Sequence, residues 1–240
     1  MTRHKKILRS LAIFFFSLGM LFSMALAGVA SWADLEATFY GFERLTNERL
    51  TTLQCPVLMT VTETGTISAA VSNLSDVTVK PKLRIYVSGP GLFRAADVQI
   101  TLDPGETQQV HWTVTSEDVD YKFLIMAKVL AFPYYMASTR EGTCGILVLN
   151  LPNLTGSQVF DFALAAALSG LLIGLGLWIA SGPQLKRRIL DSSRAMTFLA
   201  ILTLVDIFVS LRGAWLFGLI LFLATALLII VVLANAAQGE

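Results

Sequence analysis

The stretch "VQITLDPGETQQVHWTV", residues 98–114, contains two runs in which apolar and polar side chains alternate. Alternation with a period of two is typical of β-strands that bury one face. Between the runs, Pro104 presets φ and Gly105 supplies the positive φ of a type II turn. The stretch therefore predicts two strands joined by a turn. The apolar members of the runs are Val98, Ile100, Leu102, Val110, Trp112 and Val114.

The same alternation extends over residues 55–150. Turn signals such as "TETG", "SNLSD", "SGPGLF" and "SEDVD" separate the apolar runs. A succession of short strands with regular turns predicts a β-sandwich. The predicted strands are 56–61, 65–72, 77–88, 95–102, 107–115, 121–131 and 142–149.

Two stretches, "VSNLSDVTVKPKLRIYVS" at residues 71–88 and the one at 98–114, carry a resemblance to a known class of domain. They resemble the immunoglobulin-like modules on the outer face of bacterial and archaeal membrane proteins. The resemblance covers about residues 56–149. It implies an immunoglobulin-like sandwich with a binding or structural role, and it brings no catalytic residues with it. Fold analogy alone does not define a function.

Cys55 and Cys144 fall at matching places in this pattern. If every connection is a simple reversal, the first and last strands run parallel and begin at the same end of the sandwich. We therefore expect a disulfide between them, with two unrelated buried thiols as the alternative. The bond would close a loop of about 90 residues and stabilise the domain by about 4–5 kcal/mol in the chain-entropy model. It suits a compartment outside the cytoplasm.

The chain as a whole is strongly apolar. Of its 240 residues, 55% are hydrophobic and 15% are charged, and the mean hydropathy is +0.66. Four apolar segments have the length of membrane helices or reach its lower limit of about 17 residues. We predict an α-helical transmembrane bundle of four helices, with the all-β sandwich inserted between helices one and two. The segments are 7–30, 159–180, 195–211 and 214–234.

Basic residues predict how the chain is threaded through the membrane. Lys and Arg cluster before the first segment and again between the second and third segments. Such clusters face the cytoplasm. Both termini are then cytoplasmic, and the protein is a multi-pass protein of the plasma membrane with its β-domain outside. The basic residues are Arg3, Lys5, Lys6, Arg9, Lys186, Arg187, Arg188 and Arg194.

These patterns divide the chain into four regions. Residues 1–33 are predicted to form an uncleaved anchor, because the apolar stretch exceeds a signal-peptide core, although a cleaved signal peptide is the alternative. Residues 34–54 are predicted to form a connecting helix that climbs the sandwich. An interfacial helix over 34–45 is the competing interpretation. Residues 55–150 form the extracytoplasmic sandwich, and residues 159–237 form a region of three transmembrane helices.

Two loops of the sandwich are candidate partner contacts. Tyr134, Tyr135 and Met136 lie in the loop predicted at the end distal to the membrane. Aromatic residues and Met are enriched in interface cores, although these three could also fold back over the sandwich edge. Leu92 and Phe93 lie in a loop at the proximal end. They could contact lipid headgroups or the helices, or cap the core.

Small residues recur on one face of the first and second apolar segments. This spacing lets two helices approach closely. We predict that both faces pack within the protein, with a seam between two copies of the chain as the alternative. The residues are Gly19, Ser23, Ala27, Ala166, Gly170 and Gly174.

Asp206 is a carboxylate within the third apolar segment. Thr203 and Ser210 share its helical face and extend it into a polar stripe. Such residues usually face the interior of a bundle. A conduction pathway needs polar groups through the whole membrane, whereas the second and fourth segments are almost wholly apolar. The pattern therefore favours a role in packing or partner binding over an ion or proton site.

The sequence contains no motif that indicates catalysis. Phosphate-binding, dinucleotide-binding, zinc-protease and hydrolase signatures are absent. His111 alternates with buried positions and is expected to face outward, so we predict neither a metal nor another cofactor. We expect a non-catalytic accessory or scaffolding subunit that contacts membrane lipids and other membrane protein subunits, with no nucleic acid or small-molecule substrate. The alternative is a transport component that uses Asp206.

Overall fold

The computed structural model describes residues 3–42, 45–46, 48–132, 138–181 and 187–237. The chain divides into two compact units. Trp32–Val159 is called here the β-unit. Met1–Ser31 together with Phe160–Glu240 is called the helical unit.

Four α-helices are present in the described residues: α1 Arg3–Phe39, α2 Gly156–Ala180, α3 Arg187–Leu211 and α4 Trp215–Ala237. Three helical stretches of the described chain are long and apolar enough to cross a membrane, namely Ile7–Phe39, Gly156–Ala180 and Ser193–Leu211. A shorter apolar stretch is Trp215–Val231. The helices therefore have the length and composition of membrane segments.

The described part of the β-unit contains eight strands in two sheets. The strand order is β1-β3-β6 in the three-stranded sheet and β2-β8-β7-β4-β5 in the five-stranded sheet. Apolar side chains of both sheets pack into one core. The β-unit is therefore a sandwich, as predicted. The strands are β1 Leu53–Gln54, β2 Leu58–Thr60, β3 Gly65–Ser72, β4 Lys82–Val87, β5 Arg94–Gln99, β6 Thr107–Val114, β7 Leu124–Phe132 and β8 Arg140–Leu149.

Two prolines limit strands that the sequence predicts as longer. Pro56 separates β1, in one sheet, from β2, in the other. Pro81 precedes β4 and leaves Val79 in an isolated bridge with Leu102. Proline has no N–H to donate, so it interrupts a hydrogen-bonded ladder. The prediction of a single strand over 77–88 is therefore wrong, and the strand predicted over 56–61 is shorter, since β2 covers only Leu58–Thr60.

Within the five-stranded sheet, the strands that come first and last in the sequence, β2 and β8, run parallel, as predicted. β2 pairs with β8, and Leu58 lies opposite Leu147. Cys55, just before β2, forms the predicted disulfide with Cys144 on β8, and their Cα atoms are 6.4 Å apart. Cys144 is buried in the sandwich core. The disulfide therefore ties the entry of the sandwich to its last strand.

The predicted connecting helix over 34–54 is wrong for the described residues after Phe39, where α1 ends. The alternative helix over 34–45 also extends past that point. Glu141 on β8 donates its N–H to the carbonyl of Glu48 at 2.8 Å and accepts from the N–H of Leu50 at 2.7 Å. The short β2 does not reach this part of β8. A helix here would leave the N–H and C=O of Glu141 without these backbone partners, and native structures usually pair such groups.

The end of α1 explains why the sequence of β7 is apolar at every position except Lys128. Leu124 and Met126 point away from the sandwich core, and they pack against Ala33 and Ala37 of α1. A second contact joins the carboxylate of Asp34 to β8, because Asp34 Oδ1 accepts from the N–H of Gly145 at 3.1 Å. β7 is thus buried on both faces, and such strands read as continuous apolar runs rather than alternating ones.

Candidate functional site

A buried polar cluster lies inside the helical unit. On α3, Ser210 Oγ donates to Asp206 Oδ1 at 3.3 Å, and Asp206 has no exposed surface. Ser31 on α1 donates from its hydroxyl to Ser210 Oγ at 2.8 Å. The hydroxyl of Thr203 donates to the carbonyl of Leu199 at 2.7 Å. The predicted polar stripe of α3 therefore faces the interior of the unit, where Ser31 joins it to α1.

A glycine on α4 makes room for this cluster. A Cβ at Gly218 would lie against the hydroxyl oxygens of Ser31 and Ser210, closer than side chains approach one another. The sequence places Gly218 at a depth similar to that of Asp206, across the turn between α3 and α4. Three helices therefore contribute to one polar site in the helical unit.

One oxygen of Asp206 is unused within the part of the chain that the structure describes. Oδ2 is buried and has no hydrogen-bond partner there, and Ser23 Oγ on α1 is in the same state. A buried polar group without a partner destabilises a fold by about 1–3 kcal/mol. The guanidinium of Arg212 lies 4.9 Å from the ring centroid of Phe208. Asp206 can therefore hold a proton or accept a hydrogen bond from a small molecule such as water.

The small-residue stripes of α1 and α2 meet inside the helical unit. A Cβ at Gly19 would collide with backbone atoms of α2, and Cβ atoms at Gly170 and Gly174 would collide with backbone atoms of α1. Ser23 and Ala27 are also buried. Ala166 is half-buried, while its neighbour Ala167 is fully buried. This arrangement is a packing face within one chain.

Of the two predicted contact loops, the structure describes the one that contains Leu92 and Phe93. Tyr134, Tyr135 and Met136 lie outside the described residues. Leu92 is 83% exposed. The ring of Phe93 lies 5.7 Å from that of Phe42 and 5.4 Å from that of Tyr86, measured between centroids. Phe93 is therefore fixed by aromatic neighbours, whereas Leu92 projects freely.

The outer face of β3 and β6 has no charged side chain. Its residues form four cross-strand pairs, with Ser68 opposite His111 near the centre. All eight side chains are exposed or half-buried. We call this face the polar sheet surface: Thr66, Ser68, Ala70, Ser72, Thr107, Gln109, His111 and Thr113. His111 faces outward, as predicted.

β6 is also an edge strand. Among the described residues, its neighbour in the sheet is β3 alone. Its sequence, "TQQVHWTV", contains no Lys, Asp, Glu or Pro. One carbonyl of this edge is occupied, because Arg94 Nη2 donates to Thr113 O at 2.7 Å. Edge strands usually carry charges or proline that block pairing with another chain, and β6 lacks these features.

The charged side chains of the sandwich concentrate on the other sheet. Arg84 donates to both carboxylate oxygens of Asp97, at 2.6 and 2.8 Å, and Lys82 lies 2.8 Å from the same carboxylate. These hydrogen bonds hold the pKa of Asp97 well below its usual range. Lys128 and Glu141 form a second pair at 3.0 Å, with Lys128 buried. The two outer faces of the sandwich therefore differ sharply in charge.

The described residues contain no group of three or more His, Cys, Asp or Glu side chains that could hold a metal ion. The polar sheet surface and the β6 edge are features that sequence reasoning missed. Alternation shows which residues face outward, but the order of strands in a sheet decides which strand lies at an edge. The absence of charge at alternate positions of β3 and β6 was the available signal.

No family model matches the chain, and no curated protein matches it. Among solved structures, a CARDB domain from Pyrococcus furiosus, crystallised in complex with di-metal ions, is similar over 41% of this chain and 90% of its own, at 15% identity and a TM-score of 0.34. CARDB domains have an immunoglobulin-like β-sandwich fold.

Two enzymes show similarity of the same extent. A cycloisomaltooligosaccharide glucanotransferase from a Paenibacillus species, complexed with cycloisomaltoheptaose, is similar over 42% of this chain and 14% of its own, at 19% identity and a TM-score of 0.33. A β-glucosidase from Erythrobacter marinus is similar over 40% of this chain and 15% of its own, at 18% identity and a TM-score of 0.29. The matched part of this chain spans about one seventh of either enzyme, and nothing about ligand or activity follows.

Proposed function

We propose that this protein is a non-catalytic accessory or scaffolding subunit of a membrane complex. In this proposal α1 to α4 cross the plasma membrane, both termini lie in the cytoplasm, and the β-unit lies outside it. The proposal assigns no substrate, cofactor or nucleic acid. A sandwich combined with apolar helices fits a membrane protein with a protein-contact domain. The observation that carries the proposal is the uncharged polar sheet surface.

Charge depletion is the compositional mark of an interface core. Eight neighbouring side chains without a charge are unusual for a solvated sheet face, which lysine and glutamate normally keep soluble. Most of these side chains are small, so they lose little conformational entropy when a partner covers them. The polar sheet surface therefore supports contact with a protein rather than permanent exposure to water.

The edge of β6 supports the same proposal through the backbone. A partner segment can add a strand to an open sheet edge and bind through main-chain hydrogen bonds. Since β6 carries none of the usual blocking residues, such pairing meets no repulsion from its side chains. A partner that covers the polar sheet surface and pairs with β6 would use one continuous site.

The test is recovery of the partner from native membranes. The full chain is crosslinked in the membrane, purified in mild detergent, and compared with the variant His111→Glu. A charge at the centre of the polar sheet surface, opposite Ser68, must be desolvated in the complex. We expect His111→Glu to reduce the recovered partner at least tenfold.

Gln99→Glu is the matched control, because Gln99 is exposed on β5 of the other sheet. It should recover the partner at the wild-type level. Both variants must keep the Cys55–Cys144 disulfide, which shows that the sandwich has folded. Equal recovery with His111→Glu and wild type would contradict the polar sheet surface as the contact. The absence of any crosslinked partner of the wild-type protein would contradict the accessory function.

A transport component is the second candidate, and one observation favours it. Asp206 Oδ2 and Ser23 Oγ are both buried and without partners among the described residues, so they could hold a proton or a small cation. The purified protein in sealed vesicles would then show a proton or cation flux that Asp206→Asn abolishes. A flux that is lost while assembly stays intact would replace the accessory function with transport.

A further inference from the structure

A tight turn at one end of the β-unit has three solvent-exposed side chains. Asp120 and Leu124 exchange backbone hydrogen bonds of 2.8 and 3.1 Å, which leaves Tyr121, Lys122 and Phe123 as the turn itself. Tyr121 is 55% exposed, and Phe123 is also exposed. Lys122 is exposed between these two aromatic residues.

The backbone of this turn is unusual. Tyr121 has φ 51° and Lys122 has φ 72°, so two successive residues that are not glycine adopt the left-handed region. That region is unfavourable for side chains with a Cβ, and it persists only where surrounding contacts hold it. The conformation turns a large aromatic side chain and a lysine outward, away from the sandwich core.

Contacts within the β-unit fix the turn. The hydroxyl of Tyr40 donates to Asp120 Oδ2 at 2.6 Å, and burial, followed by this bond, raises the pKa of Tyr40 above its usual range. The ring of Trp32 stacks on that of Phe123, with centroids 5.8 Å apart. The rings of Tyr40 and Tyr121 lie 6.2 Å apart. The exposed side chains are therefore presented on a rigid support.

Other exposed apolar residues lie at the same end of the sandwich. β4 ends at Val87, β7 begins at Leu124, and the two strands are antiparallel neighbours, so the loop with Leu92 lies at the end where the turn lies. β8 ends there as well, and Leu151 and Leu154 after it are exposed. This end of the β-unit therefore combines aromatic, aliphatic and basic side chains.

The chain itself indicates what covers this end. Trp32 lies on α1 just beyond the predicted apolar segment 7–30, and Gly156, two residues after Leu154, begins α2. Both connections place this end of the sandwich within a few residues of segments with the length and composition of membrane helices. Tyrosine and tryptophan are enriched at the headgroup level of membranes. Lysine near an apolar surface extends its ammonium toward water and phosphate.

We propose that the turn Tyr121–Phe123 and the loop at Leu92 bind the headgroup layer of the bilayer. Tyr121, Phe123 and Leu92 lie at the boundary between headgroups and acyl chains, and Lys122 pairs with a lipid phosphate. This contact goes beyond the proposed function, although it rests on the part of that proposal in which the helices cross a membrane.

The test uses the full chain in phospholipid nanodiscs. Single cysteines are introduced by Tyr121→Cys and Leu92→Cys and carry an environment-sensitive fluorophore, with labelling under non-reducing conditions to keep the native disulfide. Leu74→Cys is the control, because Leu74 is 93% exposed in the loop after β3, at the opposite end of the sandwich. Lipids with a nitroxide on the headgroup should quench labels at 121 and 92 at least threefold more than the label at 74.

A second variant tests whether the turn itself makes the contact. Tyr121→Ser combined with Phe123→Ser should reduce quenching of the label at 92 at least twofold, while Leu74→Ser leaves it unchanged. Equal quenching at 92, 121 and 74 would overturn the proposal, and so would unchanged quenching at 92 in the double variant. Protection of 121 and 92 from an aqueous quencher without lipid quenching would indicate a protein cover instead, and would also overturn it.

A label on α2 distinguishes this failure from a failure of the membrane assignment. Phe162 is 70% exposed near the beginning of α2. A fluorophore at Phe162→Cys should be quenched by nitroxides on the acyl chain. If it is quenched while 121 and 92 are not, the helices lie in the bilayer and only the headgroup contact is wrong. If none of the three is quenched, the proposed membrane subunit is wrong as well.

Discussion

Asp206 is the residue whose role a single substitution can define best. Its Oδ1 accepts a hydrogen bond from Ser210, which in turn accepts one from Ser31. Asp206→Asn keeps an acceptor for Ser210, whereas Asp206→Leu removes it. The bond between Ser210 and Asp206 lies within α3, and a hydrogen bond of this kind contributes about 0.5–1.5 kcal/mol to stability. We therefore expect Asp206→Leu to lower the free energy of unfolding by about 1 kcal/mol and Asp206→Asn to lower it by less, measured by detergent-induced unfolding.

Thr225→Val serves as the control for this pair. The hydroxyl of Thr225 is buried on α4 and donates to the carbonyl of Leu221 within the same helix, at 2.8 Å. That carbonyl lies in an α-helix, so loss of the hydroxyl should change stability by less than about 0.5 kcal/mol. If Asp206→Leu behaves like Thr225→Val, the buried carboxyl has no structural role.

The polar cluster was predictable from the sequence only in part. The spacing of Thr203, Asp206 and Ser210 is enough to place them on one helical face. Ser31 was not predicted as part of this cluster, because its partner lies 179 residues away. Which helices are neighbours depends on packing of the whole unit. The spacing of residues in the sequence therefore predicts the polar face of α3 but not the residues of other helices that contact it.

At the scale of elements, the close approach of α1 and α2 leads to a prediction about glycine. A Cβ at Gly19, on α1, would collide with the backbone of α2. A Cβ at Gly176, on α2, would meet nothing within 4 Å. Overpacking of this kind destabilises by about 1–3 kcal/mol. We expect Gly19→Ala to lower the thermal midpoint of the helical unit. Gly176→Ala should leave it unchanged or raise it, because alanine favours helix over glycine by about 1 kcal/mol.

Circular dichroism of the full chain in detergent measures both variants at matched protein-to-detergent ratios. The comparison isolates steric collision, because both substitutions add one methyl group to a helical glycine. A destabilisation by Gly19→Ala that is no greater than that by Gly176→Ala would mean that the two helices are not packed at Gly19.

Strands were predictable where the sequence alternates. β3 and β6 were predicted within one residue at each end, because one face of each is buried and the other is polar. β7 was predicted from residue 121, although it begins at Leu124, since its apolar run continues from a turn that itself carries aromatic residues. The helix predicted over 34–54 was wrong for the described residues after Phe39, because helical spacing of apolar residues cannot reveal an unpaired stretch of β8. Hydrogen bonding to a distant strand therefore overrides the local helical pattern.

At the scale of the whole molecule, the sequence was sufficient to separate an apolar helical part from a sandwich. Composition and periodicity differ strongly between the two, and both signals are local. The polar sheet surface and the β6 edge were not predictable in the same way, because they depend on which strand lies at a sheet edge and on which face stays uncovered. Those properties arise only when the two sheets have assembled.

The division into two units predicts that loss of the disulfide acts on one of them. Cys55 and Cys144 both belong to the β-unit and are 89 residues apart in the sequence. The double variant Cys55→Ala, Cys144→Ala releases this cross-link from the unfolded chain. We expect the β-unit to lose about 2–4 kcal/mol of stability, seen as a lower denaturant midpoint of near-ultraviolet circular dichroism.

The helical unit supplies the internal control for this prediction. A label on α3 at Phe198→Cys, an exposed position, reports its unfolding separately. Its midpoint should stay the same in the presence and absence of the disulfide, because neither cysteine belongs to that unit. Equal shifts of both transitions would show that the units unfold as one cooperative body. An unchanged midpoint of the β-unit would show that the sandwich core, which contains Cys144, holds the fold without its cross-link.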